Sequence, residues 1–467
     1  MTAAARIHLQ DPALAPASEP ALVPYRAPIN PFVGLVQGAR QEPLEFFTGF
    51  GVEHDLVELP SPFGRFYLVN RPEVIEHILE RNHKNFPKSE FYQRVRYLFG
   101  DGLFELEGET WKRKRQMVHP WFRRDFISSL ATMMTTEIGR LLDDWQGHAA
   151  KGEVIAVNPP LMKMALNVVS QALCSRPVSG DMEKATEALA VVMKQGEKVL
   201  WSLAPAVHRL PTPQRYRVEK AVRCFDETMY GVIRERLEMA DEDRPGDLLD
   251  KLLTQKTPAG EPVPLGEIRD DLLTMLVAGH ETTAVAITWA SAMLSRHPEI
   301  RARVRAEVDA ALGGRVPTAA DLPALPLTAA AFQEALRLYP PFWTISRRAL
   351  EDDEVMGWRI PAGATLMISP YVTHRNPRFW SNPEAFDPTR FLGEAPARRT
   401  KYAYLPFGGG PRVCLGRQFA LMEGTLYLAM LVQRYDLDLE PGQKLEAEAM
   451  ISLRPKRDIR MRVLPRS

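Results

Sequence analysis

One cysteine of this chain sits where a thiolate could be held. The run Phe407-Gly-Gly-Gly-Pro-Arg-Val-Cys414-Leu-Gly416-Arg places it at the centre of a glycine-rich, proline-stiffened, basic loop. Glycines there let the backbone come close to a flat cofactor. Backbone N–H groups turned toward the sulfur, with Arg412 beside it, favour the deprotonated, ligating form. Leu415 through Met422 reads as a helix, so the sulfur stands just before a helix N-terminus, whose dipole also favours negative charge. The same loop suits a structural cysteine in a turn, free cysteine being among the most buried residue types. A phosphate loop is excluded, because no Gly-Lys-Ser/Thr follows.

Three other constellations carry chemistry. Ala278-Gly-His-Glu281-Thr282-Thr283 lies inside the apolar stretch from Asp270 to Ser295. That stretch has the length of a membrane span, but its centre would hold costly polar groups, so a buried helix through the core fits better. Glu334 and Arg337, three residues apart, share a helix face, where an exposed pair is worth about 0.2–0.5 kcal/mol. Trp111-Lys-Arg-Lys-Arg115 reads as a solvated helix face or a nucleic-acid patch, with Trp111 and Arg115 on one side of the helix.

The cysteine loop closely resembles the haem-ligand signature of the cytochrome P-450 family. Phe407, Gly408, Gly410, Arg412, Cys414, Gly416 and Ala420 fit that pattern, and the other constellations match further motifs of the family. The resemblance covers nearly the whole chain and implies a mainly α fold with small β-sheets. It implies that Cys414 ligates the iron of heme b (iron protoporphyrin IX), with Ala278, Phe407 and Gly416 also at the cofactor. Trp111, Arg115, Arg347 and Arg412 would meet the propionates, with Arg348 a rival for the Arg347 role. Glu281 and Thr282 would pass protons where the helix opens locally over the haem. Glu334, Arg337 and Arg390, the last from Phe386-Asp-Pro-Thr-Arg-Phe391, would form a structural triad. Family position puts Phe91, Phe104, Trp201, Leu276, Phe342, Trp343 and Ile451 in the substrate pocket.

The activity so implied is insertion of one oxygen atom from O2 into a small apolar substrate, by hydroxylation or epoxidation. With no flavin or nicotinamide module attached, electrons would come from a ferredoxin or flavodoxin with an NAD(P)H-dependent reductase. Lys112, Arg113, Lys114, Arg398, Arg399 and Lys401 are expected as an exposed basic docking face. His374-Arg375 with Trp380, and Leu338-Tyr-Pro-Pro341, look closer to the fatty-acid and carotenoid branches of the family. A peroxide-driven relative and a haem-binding redox sensor without turnover are the competing functions; the intact Glu281-Thr282 pair argues against the first.

The elements that must position these groups can be read more coarsely. At 467 residues, with no internal repeat or long polar linker after Pro31, one compact unit over 25–467 is expected, preceded by a loosely ordered segment 1–24. Apolar content of 45% is ordinary for a globular protein, and a formal charge of +1 gives no support to bulk nucleic-acid binding. Cys174, Cys224 and Cys414 make no disulfide pattern, which fits a reduced cytoplasm, and the resemblance implies a soluble bacterial enzyme. No sustained apolar segment precedes Phe32, so neither a signal peptide nor an N-terminal membrane anchor is expected. Residues 55–59 and 65–69 read as strands around a turn, 355–368 as broken strand, and 435–439 and 459–463 as a closing sheet. Phe126, Leu130, Met134, Ile138, Leu141, Leu142 and Trp145 recur at helical spacing as a core stripe, and Ala221 to Met239 reads as a helix with Arg234, Arg236 and Glu238 solvated.

Overall fold

A computed structural model describes residues 23–30, 38, 42–61, 64–177, 181–200, 202, 208, 210–257 and 260–466. The expected N-terminal segment lies almost wholly outside them. Six helices frame the site: α1 (Gly108–Val118), α2 (Ala131–Asp144), α3 (Asn158–Cys174), α4 (Leu265–Arg296), α5 (Pro326–Leu338) and α6 (Arg417–Arg434). The stripe from Met134 to Leu142 turns α2 into the largest apolar cluster, which it shares with α3, α4, α5 and α6.

α5 begins at Pro326, where a missing N–H costs nothing. Glu307 accepts from the Leu327 and Thr328 N–H groups at 2.7 and 2.8 Å, satisfying donors that the helix itself leaves orphaned. α5 and α6 pack so closely at Gly424 that a Cβ there would stand 2.3 Å from the Phe332 ring. On α4, Trp289 stacks on Tyr339 with ring centroids 3.8 Å apart.

A sheet flanks the helices, made of β1 (Tyr25–Arg26), β2 (Leu56–Leu59), β3 (Phe66–Val69), β4 (Ile345–Arg348) and β5 (Thr365–Ile368), in the order β1-β2-β3-β5-β4. β2 and β3 are the hairpin read from the sequence, in antiparallel register from Leu56 opposite Val69 to Leu59 opposite Phe66. The closing sheet pairs Tyr435–Leu439 with Arg460–Pro465, and gains a third strand, Val154–Ala156, that sequence patterning did not single out.

Two expectations need correction. α4 runs unbroken from Leu265 to Arg296, without the local opening that the resemblance implied. The helix over 221–239 is longer, Pro213–Glu238, and Arg236 is buried rather than solvated. Its guanidinium donates to Asp247 at 2.7 Å, Asp250 at 2.8 Å and the Cys174 carbonyl at 2.8 Å. The cause is a bend of the chain after that helix that brings the two aspartates under it, so the cation is paired instead of hydrated.

Candidate functional site

A cavity of about 330 Å³ lies between α4 and the cysteine loop. Ala278, Gly279 and Thr282 line it from α4; Phe407, Cys414, Gly416 and Ala420 line it from the loop and the start of α6. The loop is held by short backbone bonds, Gly408 N–H to the Leu405 carbonyl at 3.0 Å and Cys414 N–H to the Phe407 carbonyl at 2.9 Å. Gly410 is in the left-handed region at φ 62°, and a Cβ on it would stand 1.8 Å from the Leu79 carbonyl oxygen, so only glycine fits. Its N–H donates to Tyr402 Oη at 2.9 Å, and that hydroxyl donates to Glu80 at 2.6 Å.

Cys414 is exposed, and what it is exposed to is this cavity. Burial within the protein raises its thiol pKa, opposed by the Gly416 backbone N–H and by Arg115 and Arg417. The expected role of Arg412 here is therefore filled by two other arginines. Cys174, by contrast, is a core thiol with its pKa pushed up to about 12, chiefly by burial. Among the described residues no three of His, Cys, Asp and Glu cluster as a metal site.

Trp111, Arg115, Arg347 and Arg412 all line the cavity. The Arg412 guanidinium stacks 3.8 Å from the Trp111 ring centroid, donates to the Leu106 carbonyl at 2.9 Å and pairs with Glu107. Arg115 donates to the Val413 carbonyl at 2.6 Å. Alternation along β4 turns Arg347 inward and leaves Arg348 to pair with Glu90 outside the cavity. A fourth cation, Lys88, was not found from the sequence, and no motif surrounds it. Its ammonium donates to the Phe104 carbonyl, and its pKa falls to about 7, by burial first and then repulsion from Arg412 and Arg347, with Glu107 and Glu105 opposing. The Arg412 pKa falls to about 10, again mainly by burial, with Glu107 opposing and Arg347 and Arg115 adding. Four crowded cations facing Glu105 and Glu107 suit an anionic guest beside the thiol. A cofactor bearing carboxylates and a metal, as haem does, fits both halves of this donor set.

On α4, the Thr282 hydroxyl donates to the Ala278 carbonyl at 2.6 Å, within its own helix. Glu281 accepts from Ser452 Oγ at 2.6 Å. His280 is held neutral, burial lowering its pKa to about 4. Thr282 and Ala278 also line a second cavity of about 160 Å³, together with Glu281.

Phe91, Phe104, Phe342 and Ile451 line that second cavity. Leu276 and Trp343 line neither cavity. Leu276 falls on the wrong phase of α4, since Thr274, Val277, Ala278, Glu281 and Thr282 make the facing side, and it packs into the core instead. Trp343 is 1% exposed, its indole N–H donating to the Met450 carbonyl at 2.8 Å behind the wall. Trp201 lies outside the described residues.

Behind the loop, Arg337 is bidentate to Glu334 at 2.7 and 2.8 Å, both side chains fully buried, and donates to the carbonyls of His374, Pro383 and Ala385. Arg390 reaches Glu334 at 3.3 Å. On the outer surface, Lys112, Arg398 and Lys401 are exposed and Arg113 is half-buried. The expected basic face loses two members. Lys114 is buried against Asp271 at 3.2 Å and Glu267 at 3.5 Å, and Arg399 stacks on Trp380, Phe391 and Tyr404.

A cytochrome P450 family model matches residues 24–460. Among curated proteins, the chain is 34% identical to the putative cytochrome P450 132 of Mycobacterium tuberculosis, over 85% of this chain and 87% of that one. It is 32% identical to the pentalenene oxygenase of Streptomyces avermitilis, over 94% of this chain and 96% of that one. Among solved structures, the haem domain of cytochrome P450DA superposes with a TM-score of 0.86 at 25% identity, over 96% of this chain and 98% of that one. Among the described residues no helix is long and apolar enough to cross a membrane.

Proposed function

The chain belongs to the cytochrome P450 family of haem-dependent monooxygenases, which makes it an oxidoreductase, and on that premise we propose how its residues divide the work. The observation that carries the proposal is the single thiol, Cys414, at the wall of a cavity crowded with four cations. When bound, haem supplies the activation of dioxygen, and a thiolate ligand favours O–O cleavage.

Cys414 would hold the iron of heme b as a thiolate, the metal's own charge offsetting the burial that raises the free thiol's pKa. Trp111, Arg115, Arg347 and Arg412 would hold the carboxylates of iron protoporphyrin IX, the arginine forks being suited to such groups. Ala278, Phe407 and Gly416, which line the same cavity, would contact the macrocycle. The Thr282 hydroxyl spends its proton on the Ala278 carbonyl and so presents lone pairs to the cavity, where it can accept a hydrogen bond and relay a proton. Glu281, which lines the smaller cavity beside Thr282, would take a proton from solvent at its carboxylate and, on releasing Ser452, hand it to the Thr282 hydroxyl. Glu334, Arg337 and Arg390 are positioning residues that hold the loop region.

The smaller cavity holds an apolar substrate, which is hydroxylated or epoxidised; its aromatic and aliphatic lining and the relative named pentalenene oxygenase support this reading. Electrons come from a ferredoxin or flavodoxin with an NAD(P)H-dependent reductase. Cys414→Ser tests the assignment. The reduced carbon-monoxide complex should lose its thiolate-type red-shifted band, and survival of that band would overturn the ligand. Product that needs both O2 and electrons from a surrogate ferredoxin supports the monooxygenase, whereas product from peroxide alone, or none from broad libraries, refutes it.

A further inference from the structure

The wall of the smaller cavity is built from side chains several of whose polar atoms the protein itself leaves unmatched. Aromatic and aliphatic side chains such as Phe99, Met193 and Val277 make up most of its wall. Yet Glu105 Oε2, Thr274 Oγ1, Thr344 Oγ1 and Ser346 Oγ are all buried without a hydrogen-bond partner, and all four residues line this one cavity. Glu105 is only 4% exposed. Leaving such groups unpaired is costly, so a guest that draws these side chains into hydrogen bonds gains by doing so.

Their placement is shared between separate segments. The turn carrying Glu105 lies directly on α4, since a Cβ on Gly102 would stand 1.8 Å from Thr274 Oγ1, and the Glu105 N–H donates to the Gly102 carbonyl at 3.1 Å. Thr344 and Ser346, two residues apart, share one side of the extended segment that enters β4. The charged side chains lining the cavity among the described residues are Glu105 and Glu281, and no Lys, Arg or His joins them. A carboxylate guest would meet two acids and no cation. Glu281 is already bonded to Ser452 at 2.6 Å, and Lys88 acts on Glu105 from the neighbouring cavity, so an added cation is not needed to balance either acid. A hydroxyl both donates and accepts, and so can serve the carboxyl and a threonine or serine hydroxyl together. Burial raises the Glu105 pKa to about 7 with Lys88 opposing, which lets its carboxyl act in either sense near neutrality.

We infer that the substrate is an uncharged molecule whose apolar skeleton already carries a hydroxyl group, and that Glu105 is a specificity-determining residue that binds this hydroxyl. The inference rests on the monooxygenase reading above. Its test is equilibrium dialysis of the full haem-loaded chain against four probes with one skeleton: farnesol, farnesene, farnesoic acid and farnesylamine. Farnesol should bind on the order of tenfold tighter than each of the others, because a site built for a hydroxyl rejects analogues that lack it. Glu105→Leu should bring farnesol to the level of farnesene, and Thr274→Val, which changes the wall less, should reduce the preference by a smaller factor. Farnesene or farnesylamine binding as tightly as farnesol, no binding of farnesol, or an unchanged preference in both variants overturns the inference. The reduced carbon-monoxide band is recorded on the same samples. Its absence defeats the monooxygenase reading, while its presence without alcohol preference defeats the inference alone.

Discussion

Arg337 and His374 bond each other twice, in opposite senses: Arg337 donates to the His374 carbonyl at 2.8 Å, and His374 Nδ1 donates to the Arg337 carbonyl at 3.0 Å. The second ring nitrogen, Nε2, accepts from the Leu405 N–H at 2.9 Å. One neutral imidazole therefore ties α5 to the residue whose carbonyl receives Gly408 at the start of the cysteine loop. The buried ion pair on α5 and the thiol loop are linked through this ring.

The linkage has a pH signature. Burial above all, with repulsion from Arg337, Arg375 and Arg399, holds the His374 pKa well below its ordinary 6.5, and only its bond to the Arg337 carbonyl opposes. A depressed histidine contributes stability that is fully present above pH 6.5 and is lost as pH falls toward the folded-state value. His374→Phe should be less stable at neutral pH, by about 1–3 kcal/mol for the Leu405 N–H it strands. Its melting temperature should also fall less than wild type between pH 6.5 and 5. Parallel melting curves across that range would remove His374 as the source of the acid sensitivity.

Glu334→Gln should be severe for another reason. It leaves Arg337, which is fully buried, without its counter-charge, and breaking a buried pair from one side costs about 3–5 kcal/mol. Urea unfolding reads the loss directly, and recovered haem content should fall with it because the loop is anchored through the same helix. A variant within 1 kcal/mol of wild type would mean that the carbonyls of Pro383 and Ala385 suffice to hold the arginine.

What the sequence revealed divides by the range of the interaction involved. Cys414, Thr282 and the Glu334–Arg337 pair are set by local spacing, so the loop and helix faces that carry them were legible. Lys114 and Arg236 were read as solvated because amphipathic helices usually hydrate their charges, and the partner that buries Lys114, Asp271, is 157 residues away. Lys88 and Glu105 are single charges brought to the cavities by tertiary packing, with no pattern around them. Leu276 missed the second cavity through helical phase alone, since Val277 next to it lines the wall.

Glu423, unremarked in the sequence, has both carboxylate oxygens buried on α6 without a partner, and burial raises its pKa well above 4.5. A raised carboxyl contributes stability that is present below the unfolded value near 4.5 and lost as pH rises through the folded-state value. Glu423→Gln removes the proton linkage while keeping the shape. The variant should match or exceed wild type in melting temperature at pH 8, with the gap narrowing toward pH 5. A variant that is less stable at every pH would show that the carboxyl has a favourable partner.

Thr282→Ala removes the hydroxyl and its 2.6 Å bond to the Ala278 carbonyl, in a helix that alanine favours. Folding and substrate affinity should hold, while product formed per electron consumed drops and hydrogen peroxide rises. Proton-transfer assistance typically contributes about 100-fold to 10,000-fold, which sets the scale for the rate of product formation. Thr282→Ser, which restores a hydroxyl, should recover most of the coupling. Coupling that is unaffected by the alanine would take Thr282 out of proton delivery.

Lys112 and Lys114 stand two residues apart and should respond oppositely to charge reversal. Lys112 is exposed, its side chain 56% accessible and loosely paired with Glu109 at 3.6 Å, so Lys112→Glu should leave stability within about 0.5 kcal/mol. If α1 belongs to the docking face, that variant slows reduction by an acidic ferredoxin and flattens its salt dependence, since such charges are screened over about 8 Å at physiological ionic strength. Lys114 instead neutralises Asp271, whose pKa is raised to about 6 by burial with Lys114 opposing. Lys114→Glu would place a second acid beside that buried carboxyl and should destabilise the fold by about 3–5 kcal/mol whatever the partner. Stopped-flow reduction at low and high salt, with urea unfolding of both variants, separates the two effects. A wild-type reduction rate and salt slope in Lys112→Glu would move the docking site away from α1, because its neighbour's charge is already committed inside the protein.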